Sequence, residues 1–316
     1  MRQNYYDVSG GIKERYHSRS RTARDKIAII SVKGLIVDGH GFVKHQIDRV
    51  RADPKVKAIV LYVDSPGGTV TGADYIYHYL TKLRKERSLP MVVSMGSLAT
   101  SGGYYVSMAV GDESDAIFAE PTTTTGSIGV IMPHYDLSGL LEKLAIKDDS
   151  IVSHPRKELL SMTRPLTAAD RKIVQDYINE SFDRFKMIVK SGRPLLKKAN
   201  PDDQLLDPKT KRDLATGEIF TASQAKKYGL VDRIGFLEDA IDRAIELAGL
   251  DPAKVRVVEY RPVVSLGSLL GFGQAKPAGI TFEQLLDWSA PRAYYLATTL
   301  PIFAAPDYSW VRKTSK

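Results

Sequence analysis

Cysteine is absent from the 316 residues of the chain. Its absence excludes disulfide bonds, thiol catalysis and metal sites built on thiolates. Histidine is also scarce: the six histidines show no HExxH motif or similar close pairing, so the sequence predicts no zinc site. We therefore expect chemistry that needs neither a thiol nor a metal, and we expect no cofactor.

Long apolar segments are missing as well. No run of about 18 apolar residues occurs, so no segment is predicted to cross a bilayer as a helix. Residues 1–25 are polar and rich in arginine, and they lack the apolar core of a signal peptide. With 43% hydrophobic and 26% charged residues, the composition is that of a folded globular protein.

The charge balance is basic, with a formal net charge of +8. A solvated basic surface accounts for this value, and attraction to an anionic membrane face is a second interpretation. No recognition motif accompanies the basic residues, so nucleic acid is not an expected partner.

Apolar runs alternate with amphipathic stretches in the first half of the chain. Helices with an apolar face are predicted between buried strands. This alternation predicts an α/β fold with a largely parallel sheet, in which sites gather at the carboxyl ends of strands. The predicted strands are residues 26–32, 58–63, 91–95 and 115–119, and the predicted helices are 42–51, 70–87 and 101–109.

The second half of the chain is predicted to be richer in helices. Thr167 is the expected N-cap of a long helix, and Thr221 and Gly229 are the expected start and end of a short one. We divide the chain into an N-terminal arm or linker (1–25), one α/β domain (26–260) and a C-terminal tail of unknown role (261–316). The predicted elements are helices at 137–144, 167–190 and 236–248, strands at 150–153 and 255–260, and a polar surface excursion at 193–214.

One serine lies in a turn made of small residues. The apolar strand at 91–95 leads to Ser101, which is followed directly by Gly102 and Gly103. If the two glycines open a helix, Ser101 lies at its N-terminus, where free N–H groups favour a developing anion. A serine nucleophile that must form an oxyanion needs this geometry.

A second glycine turn follows the preceding strand. Residues 64–68 read Asp-Ser-Pro-Gly-Gly, and Gly67 and Gly68 offer N–H groups that no side chain shields. We take one of these N–H groups as an oxyanion donor that faces Ser101. Each turn alone is a weak signal, but two such turns on neighbouring strand–turn–helix units predict a peptidase.

The sequence offers more than one base for this serine, whose hydroxyl is a poor nucleophile on its own. His134 and His154 follow it in the chain and are candidates. A lysine is the alternative, because burial among apolar groups lowers the pKa of its amine from the ordinary value of about 10.4. Lys157 precedes two leucines and suits that role, but its surroundings in the sequence do not distinguish it from the other lysines.

Four ordered motifs run through residues 26–250. They are Asp-Ser-Pro-Gly-Gly at 64–68, Met-Gly-Ser-Leu-Ala-Thr-Ser-Gly-Gly-Tyr-Tyr at 95–105, Thr-Gly-Ser-Ile-Gly-Val at 125–130, and Gly-Glu-Ile-Phe-Thr-Ala-Ser-Gln-Ala with a later Gly-Leu-Val-Asp within 217–235. Together they resemble the signal peptide peptidase A (SppA) family of Ser-Lys serine endopeptidases. The resemblance implies a ClpP/crotonase-like α/β fold, with a largely parallel sheet flanked by helices and the peptidase domain at 26–260.

The same resemblance implies roles for individual residues. The nucleophile falls on Ser101, the general base on Lys157, and a hydroxyl that hydrogen-bonds the lysine on Ser127. The oxyanion donors fall on the backbone of Gly67 or Gly68 and of Gly102.

The resemblance also implies an activity and a setting. Residual signal peptides or other apolar, unfolded peptides would be hydrolysed by a homo-oligomeric ring in which the lysine of one subunit reaches the serine of its neighbour. The ring would associate with the outer, periplasmic side of the bacterial cytoplasmic membrane, although the anchoring helix common in the family is absent from this sequence.

Three other functions fit parts of the pattern. A Ser-His peptidase of the ClpP type would use His134 or His154 in place of the lysine. A crotonase-type acyl-CoA enzyme would use the same backbone donors to stabilise a thioester enolate, and a non-catalytic scaffold would leave Ser101 unreactive.

Overall fold

The structure, a computed structural model, describes residues 11–200, 202, 204–263 and 293–297. Within these residues a nine-stranded sheet forms the centre, and a two-stranded sheet joins β4 to β11. The strands are β1 Ile12–Arg19, β2 Asp25–Lys33, β3 Val56–Ser65, β4 Gly67–Thr69, β5 Met91–Thr100, β6 Ile117–Ala119, β7 Thr124–Gly126, β8 Ile219–Thr221, β9 Arg233–Ile234, β10 Val255–Pro262 and β11 Tyr294–Leu296.

The central sheet is largely parallel. Its strands follow the order β1-β10-β2-β3-β5-β6-β9, and β7 pairs with both β5 and β8. Every pair along this order from β10 to β9 is parallel, whereas β1 runs antiparallel to β10. The predicted α/β fold with a largely parallel sheet is therefore confirmed.

The central strands are covered on both faces. Consecutive residues of β3 and β5, whose side chains point to opposite faces, are completely buried. Such continuous burial is typical of parallel strands in α/β proteins, where helices cover both sides of the sheet. The consecutive buried residues include Ala58, Ile59, Val60 and Leu61 in β3 and Met91, Val92 and Val93 in β5.

The helices pack around this sheet. Helix α8 packs against β3, β5 and β6, while α2 packs against α1 and α3, and α3 also contacts α5. Threonine side chains start three of the helices: Thr69 caps α2, Thr167 caps α5 and Thr221 caps α7. The helices are α1 Phe42–Ala52, α2 Val70–Arg87, α3 Gly102–Ser107, α4 Ser138–Lys143, α5 Ala168–Gly192, α6 Pro194–Ala199, α7 Ala222–Lys227 and α8 Leu237–Leu247.

Three stretches differ from the sequence-based expectation. Part of the predicted N-terminal arm forms the edge strand β1, because its backbone pairs with β10. The strand predicted at 150–153 is irregular and exposed, since no neighbouring strand pairs with it in the described structure. The predicted surface excursion at 193–214 contains α6, and it buries Leu196, Leu205 and Leu214 in the core.

The predicted C-terminal tail is described only in part. Residues 261 and 262 complete β10, and residues 293–297 contain β11. Residues 264–292 and 298–316 of the predicted tail lie outside the described residues. Among the residues that are described, no helix combines the length and the apolarity needed to cross a membrane.

Candidate active site

Ser101 occupies the turn between β5 and α3. Its backbone adopts φ 54° and ψ −116°, a conformation that is uncommon for a residue with a side chain and is typically held in place by its surroundings. Two hydrogen bonds hold it: the Ser101 N–H donates to the Gly126 carbonyl at 2.7 Å, and the Tyr105 N–H donates to the Ser101 carbonyl at 2.8 Å. Within the described residues the Ser101 hydroxyl has no hydrogen-bond partner, and the residue is 1% exposed.

The two glycine turns predicted to face each other are in contact. A Cβ atom added to Gly67 would lie 2.6 Å from the Gly102 nitrogen, and one added to Gly102 would lie 3.2 Å from the Gly68 nitrogen. Gly67 also has a φ of 96°, in the region that favours glycine. Glycine is therefore required at this point by the close approach of the two backbones, and the first turn lies against Gly102, the residue that follows Ser101.

The N–H groups of the two turns differ in what they bind. The Gly67 N–H donates to the Ser65 hydroxyl at 3.0 Å, and that hydroxyl in turn donates to the Gly34 carbonyl at 2.6 Å. Gly68 lies in β4 and pairs with β11, while Gly102 is the first residue of α3, where N–H groups have no partner within the helix. Ser65, which the sequence analysis did not single out, thus fixes the first turn and occupies the Gly67 N–H.

Ser127 directly follows Gly126, whose carbonyl accepts the hydrogen bond from the Ser101 N–H. It is buried, has a left-handed φ of 52°, and donates its N–H to the Glu218 carbonyl at 2.7 Å. The structure therefore brings the predicted Ser127 into the neighbourhood of Ser101, through the adjacent residue Gly126.

Lys157 lies elsewhere in the single chain. It belongs to a 3-10 turn, Pro155–Glu158, and its N–H donates to the His154 carbonyl. The side chain is exposed, and within the described structure its amine makes no hydrogen bond or ion pair. One chain therefore does not join this lysine to the buried Ser101.

The two candidate histidines also have other partners. The His134 Nε2 lies 3.1 Å from the Ser161 carbonyl, and the His154 Nδ1 accepts a hydrogen bond from the Arg156 N–H at 3.1 Å. Neither histidine forms a hydrogen bond with Ser101 in the described structure. Within these same residues, no three histidine or carboxylate side chains converge as ligands for a metal ion.

A polar network, in which Asp74 and Arg184 are partly exposed, supports the helix that follows Ser101. The Tyr105 hydroxyl donates to the Asp74 carboxylate at 2.6 Å, and Arg184 donates to the same carboxylate oxygen. Burial raises the pKa of Tyr105, and the hydrogen bond to Asp74 raises that pKa further. The tyrosine therefore stays neutral and links α2, α3 and α5 below the serine.

Comparisons with known proteins point to one family. Residues 83–251 match the model of Peptidase family S49, and residues 26–129 match that of Clp protease. A putative protease, slr0021, of Synechocystis is 38% identical over 75% of this chain and 79% of its own length. A putative signal peptide peptidase SppA of Enterococcus faecium is 34% identical over 75% of this chain and 67% of its own length. Protease 4 of Salmonella typhi is 34% identical over 75% of this chain and 37% of its own length.

Proposed function

The chain belongs to Peptidase family S49 and is a protease, and we propose that it is a serine endopeptidase that uses Ser101 and Lys157. Its substrates are residual signal peptides or other apolar, unfolded peptides. The observation that carries the proposal is the close contact between the two glycine turns, which brings the backbone of Gly67 and Gly68 against Gly102, the residue that follows Ser101. An ordinary buried serine needs no such arrangement.

The proposed reaction proceeds through an acyl-enzyme. The uncharged Lys157 amine takes the proton from the Ser101 hydroxyl, and the oxygen attacks the peptide carbonyl carbon. The carbonyl oxygen becomes an oxyanion that accepts hydrogen bonds from N–H groups of the glycine turns. The lysine ammonium then protonates the leaving amine, the C–N bond breaks, and water hydrolyses the ester by the same steps.

The geometry favours Gly68 and Gly102 as the two oxyanion donors. The Gly67 N–H is already bound to the Ser65 hydroxyl, whereas Gly68 and Gly102 lie side by side next to the serine. Gly67 instead contributes its missing side chain, because a Cβ there would press on the Gly102 nitrogen. Ser127, close to Ser101 through Gly126, would orient the lysine amine when that amine arrives.

The position of Lys157 supports a site shared between subunits. The segment around it is exposed and carries many large apolar side chains, more than a surface facing only water requires. We propose that this segment packs on a neighbouring subunit in a homo-oligomeric ring and carries Lys157 to the neighbour's Ser101. The exposed apolar residues are Leu140, Leu144, Ile146, Ile151, Val152 and Met162.

We further place the ring at the outer, periplasmic side of the bacterial cytoplasmic membrane. The net charge of +8 supports contact with an anionic membrane surface. If so, vesicles that contain anionic lipids will bind the protein and neutral vesicles will not. Equal retention on both kinds of vesicle would contradict this placement.

Labelling by a fluorophosphonate tests the proposed chemistry. The wild-type protein should form one covalent adduct on Ser101, Ser101→Ala should form none, and Lys157→Ala should react at least about a hundredfold more slowly because general-base help is lost. Casein or signal-peptide hydrolysis should fall in parallel. Unchanged labelling of Ser101→Ala, or full activity of Lys157→Ala, would contradict the proposal.

A further inference from the structure

Residues 293–297 lie as an extended strand across the candidate active site. On one edge, β11 pairs antiparallel with β4, with Tyr295 opposite Gly68 and Leu296 opposite Gly67. On the other edge, the Tyr294 N–H donates to the Ile131 carbonyl at 2.8 Å, and the Ile131 N–H donates back at 3.0 Å. The segment is therefore held between two stretches of backbone, as an added peptide strand is held at a sheet edge.

The carbonyl of Tyr295 points into the space between the glycine turns. Val70 donates its N–H to the Ala293 carbonyl, and Ala297 donates its N–H to the Pro66 carbonyl, at 3.2 and 3.0 Å. Hydrogen-bonded pairs alternate along an antiparallel ladder, so the pair midway between these two joins the Gly68 N–H to the Tyr295 carbonyl.

Contacts of the glycines place the same carbonyl oxygen more closely. A Cβ atom added to Gly102 would lie 3.1 Å from it, and one added to Gly67 would overlap it. The oxygen therefore lies among the N–H groups that the proposed reaction assigns to the oxyanion. Tyr295 takes the position of the residue whose carbonyl Ser101 would attack.

The side chain of Tyr295 fills an aromatic pocket. It is completely buried; its ring stacks on Tyr105 with centroids 5.1 Å apart and tilts against Phe185 at 4.6 Å. Its hydroxyl donates to the Ser181 carbonyl at 2.7 Å. The pocket thus accepts a large aromatic side chain and offers a hydrogen-bond acceptor at its far end.

We propose that residues 293–297 occupy the peptide-binding groove of this protease, and that the pocket around Tyr295 selects substrates with a large aromatic residue on the acyl side of the cleaved bond. The inference rests on the proposed function, because it uses the same serine and oxyanion donors. A substrate can reach Ser101, which is 1% exposed, only when the segment leaves the groove. The chain thus limits its own activity.

Peptide binding in the inactive Ser101→Ala chain tests the occupancy. The probe is a fluorescein-labelled peptide with the sequence of residues 293–297, Ala-Tyr-Tyr-Leu-Ala, measured by fluorescence polarisation. A groove that is free for only a fraction of the time shows a weakened apparent Kd, so adding Tyr295→Ala should lower that Kd about tenfold or more. Tyr295→Phe keeps the ring and should lower it less.

Two further variants keep this test decisive. Ala297→Pro removes the N–H that binds the Pro66 carbonyl without touching the aromatic pocket, and it too should lower the Kd. The control is Tyr75→Ala, because Tyr75 is exposed and its ring lies against His40. Folded Tyr295→Ala and Ala297→Pro chains that bind the probe no better than the Tyr75→Ala control would overturn the proposal. Mass spectrometry verifies that every preparation is intact.

Hydrolysis by the active chain tests the pocket. Peptides that differ only in Tyr, Phe or Ala at the position of Tyr295 should show the aromatic peptides cleaved with a kcat/KM about tenfold or more above that of the alanine peptide. Equal hydrolysis of all three would overturn the proposed selectivity and leave the protease function standing. If the probe binds the Tyr295→Ala chain but no variant with Ser101 hydrolyses any peptide, the groove stands and the proposed function fails.

Discussion

At the scale of single residues, the site depends on how closely two backbone turns approach. Gly103 shows this most directly, because a Cβ there would lie 2.6 Å from the Ser65 carbonyl oxygen, a backbone atom that has little freedom to move. Ser65 in turn fixes the Gly67 N–H, so the same contact governs the position of both turns. Small residues around Ser101 are thus a requirement of packing before they are a requirement of chemistry.

Gly103→Ala should therefore destabilise the fold by about 1–3 kcal/mol, as overpacking of a tight site does. The matched control is Gly139→Ala, since a Cβ at Gly139 meets nothing within 4 Å and the residue lies in helix α4. That control should be neutral or stabilising by up to about 1 kcal/mol. Denaturant unfolding of both variants checks the difference, and equal stabilities would show that the contact with Ser65 is unimportant.

At the scale of secondary-structure elements, local sequence patterns correctly predicted one helix and two helix N-caps, because these features depend on residues that are close together in the chain. The helix predicted at 70–87 matches α2, and the predicted N-caps Thr167 and Thr221 start α5 and α7. Each depends on a short apolar period or on one side chain near a helix end, and both signals are local.

The strands β1 and β11 were not predicted, because each pairs with a strand that is far away in the sequence. Strand β1 reads as a polar arm because, in the part of the chain that the structure describes, it pairs along one edge only, with β10, more than 200 residues later in the chain. Strand β11 lies among short apolar stretches, and its partner β4 is equally remote. For the site, the glycine turns around Ser101 were predictable from the small residues that follow two predicted strands. The role of Ser65 depends on a contact with Gly34, which the sequence pattern does not reveal.

A buried ion pair connects the residue that follows α5 to the residue that precedes β9. Arg193 donates to the Asp232 carboxylate at 2.6 Å, and the N–H groups of Ala116 and Ile117 donate to its other oxygen. Burial alone would raise the pKa of Asp232, but these hydrogen bonds outweigh it and lower that pKa below its ordinary value of 3.8. The carboxylate therefore contributes stability above about pH 4, which is lost as the pH falls through its lowered pKa.

Asp232→Asn should destabilise the protein by about 3 kcal/mol at pH 7, because it leaves the buried Arg193 without its counter-charge. The difference from wild type should shrink as the pH falls below about 4, since the unfolded wild-type carboxylate binds a proton there while the folded one keeps its charge down to its lowered pKa. Unfolding free energies of the two proteins, measured between about pH 3 and about pH 7, check this. A difference that is constant with pH would contradict the assignment.

At the scale of the whole molecule, the proposed base and nucleophile form no hydrogen bond with each other in the described part of the single chain. Lys157 is exposed and Ser101 is buried, while the segment that carries the lysine presents apolar side chains to solvent. If that segment packs on another subunit, its apolar side chains are buried and its lysine can reach the serine of that subunit. The function then belongs to the assembly, and a monomer should be inactive.

Charges placed on this segment should disrupt the assembly. Leu144→Glu combined with Ile151→Glu should shift the mass measured by light scattering towards the monomer and reduce peptide hydrolysis by about tenfold or more, because burying unpaired charge is costly. Leu195→Glu is the control, since Leu195 is also an exposed leucine but lies in α6. If the double variant keeps the wild-type mass and activity, the segment is not a subunit contact.

The proposal that one subunit supplies Ser101 and its neighbour supplies Lys157 is tested most directly by mixing two inactive chains. Ser101→Ala and Lys157→Ala chains should each be inactive alone. Coexpressed in equal amounts, they should regain about a quarter of wild-type peptide hydrolysis, the share of interfaces in a randomly mixed ring that combine an intact serine with an intact lysine. Mixed rings with no more activity than the two separate chains would contradict the shared site.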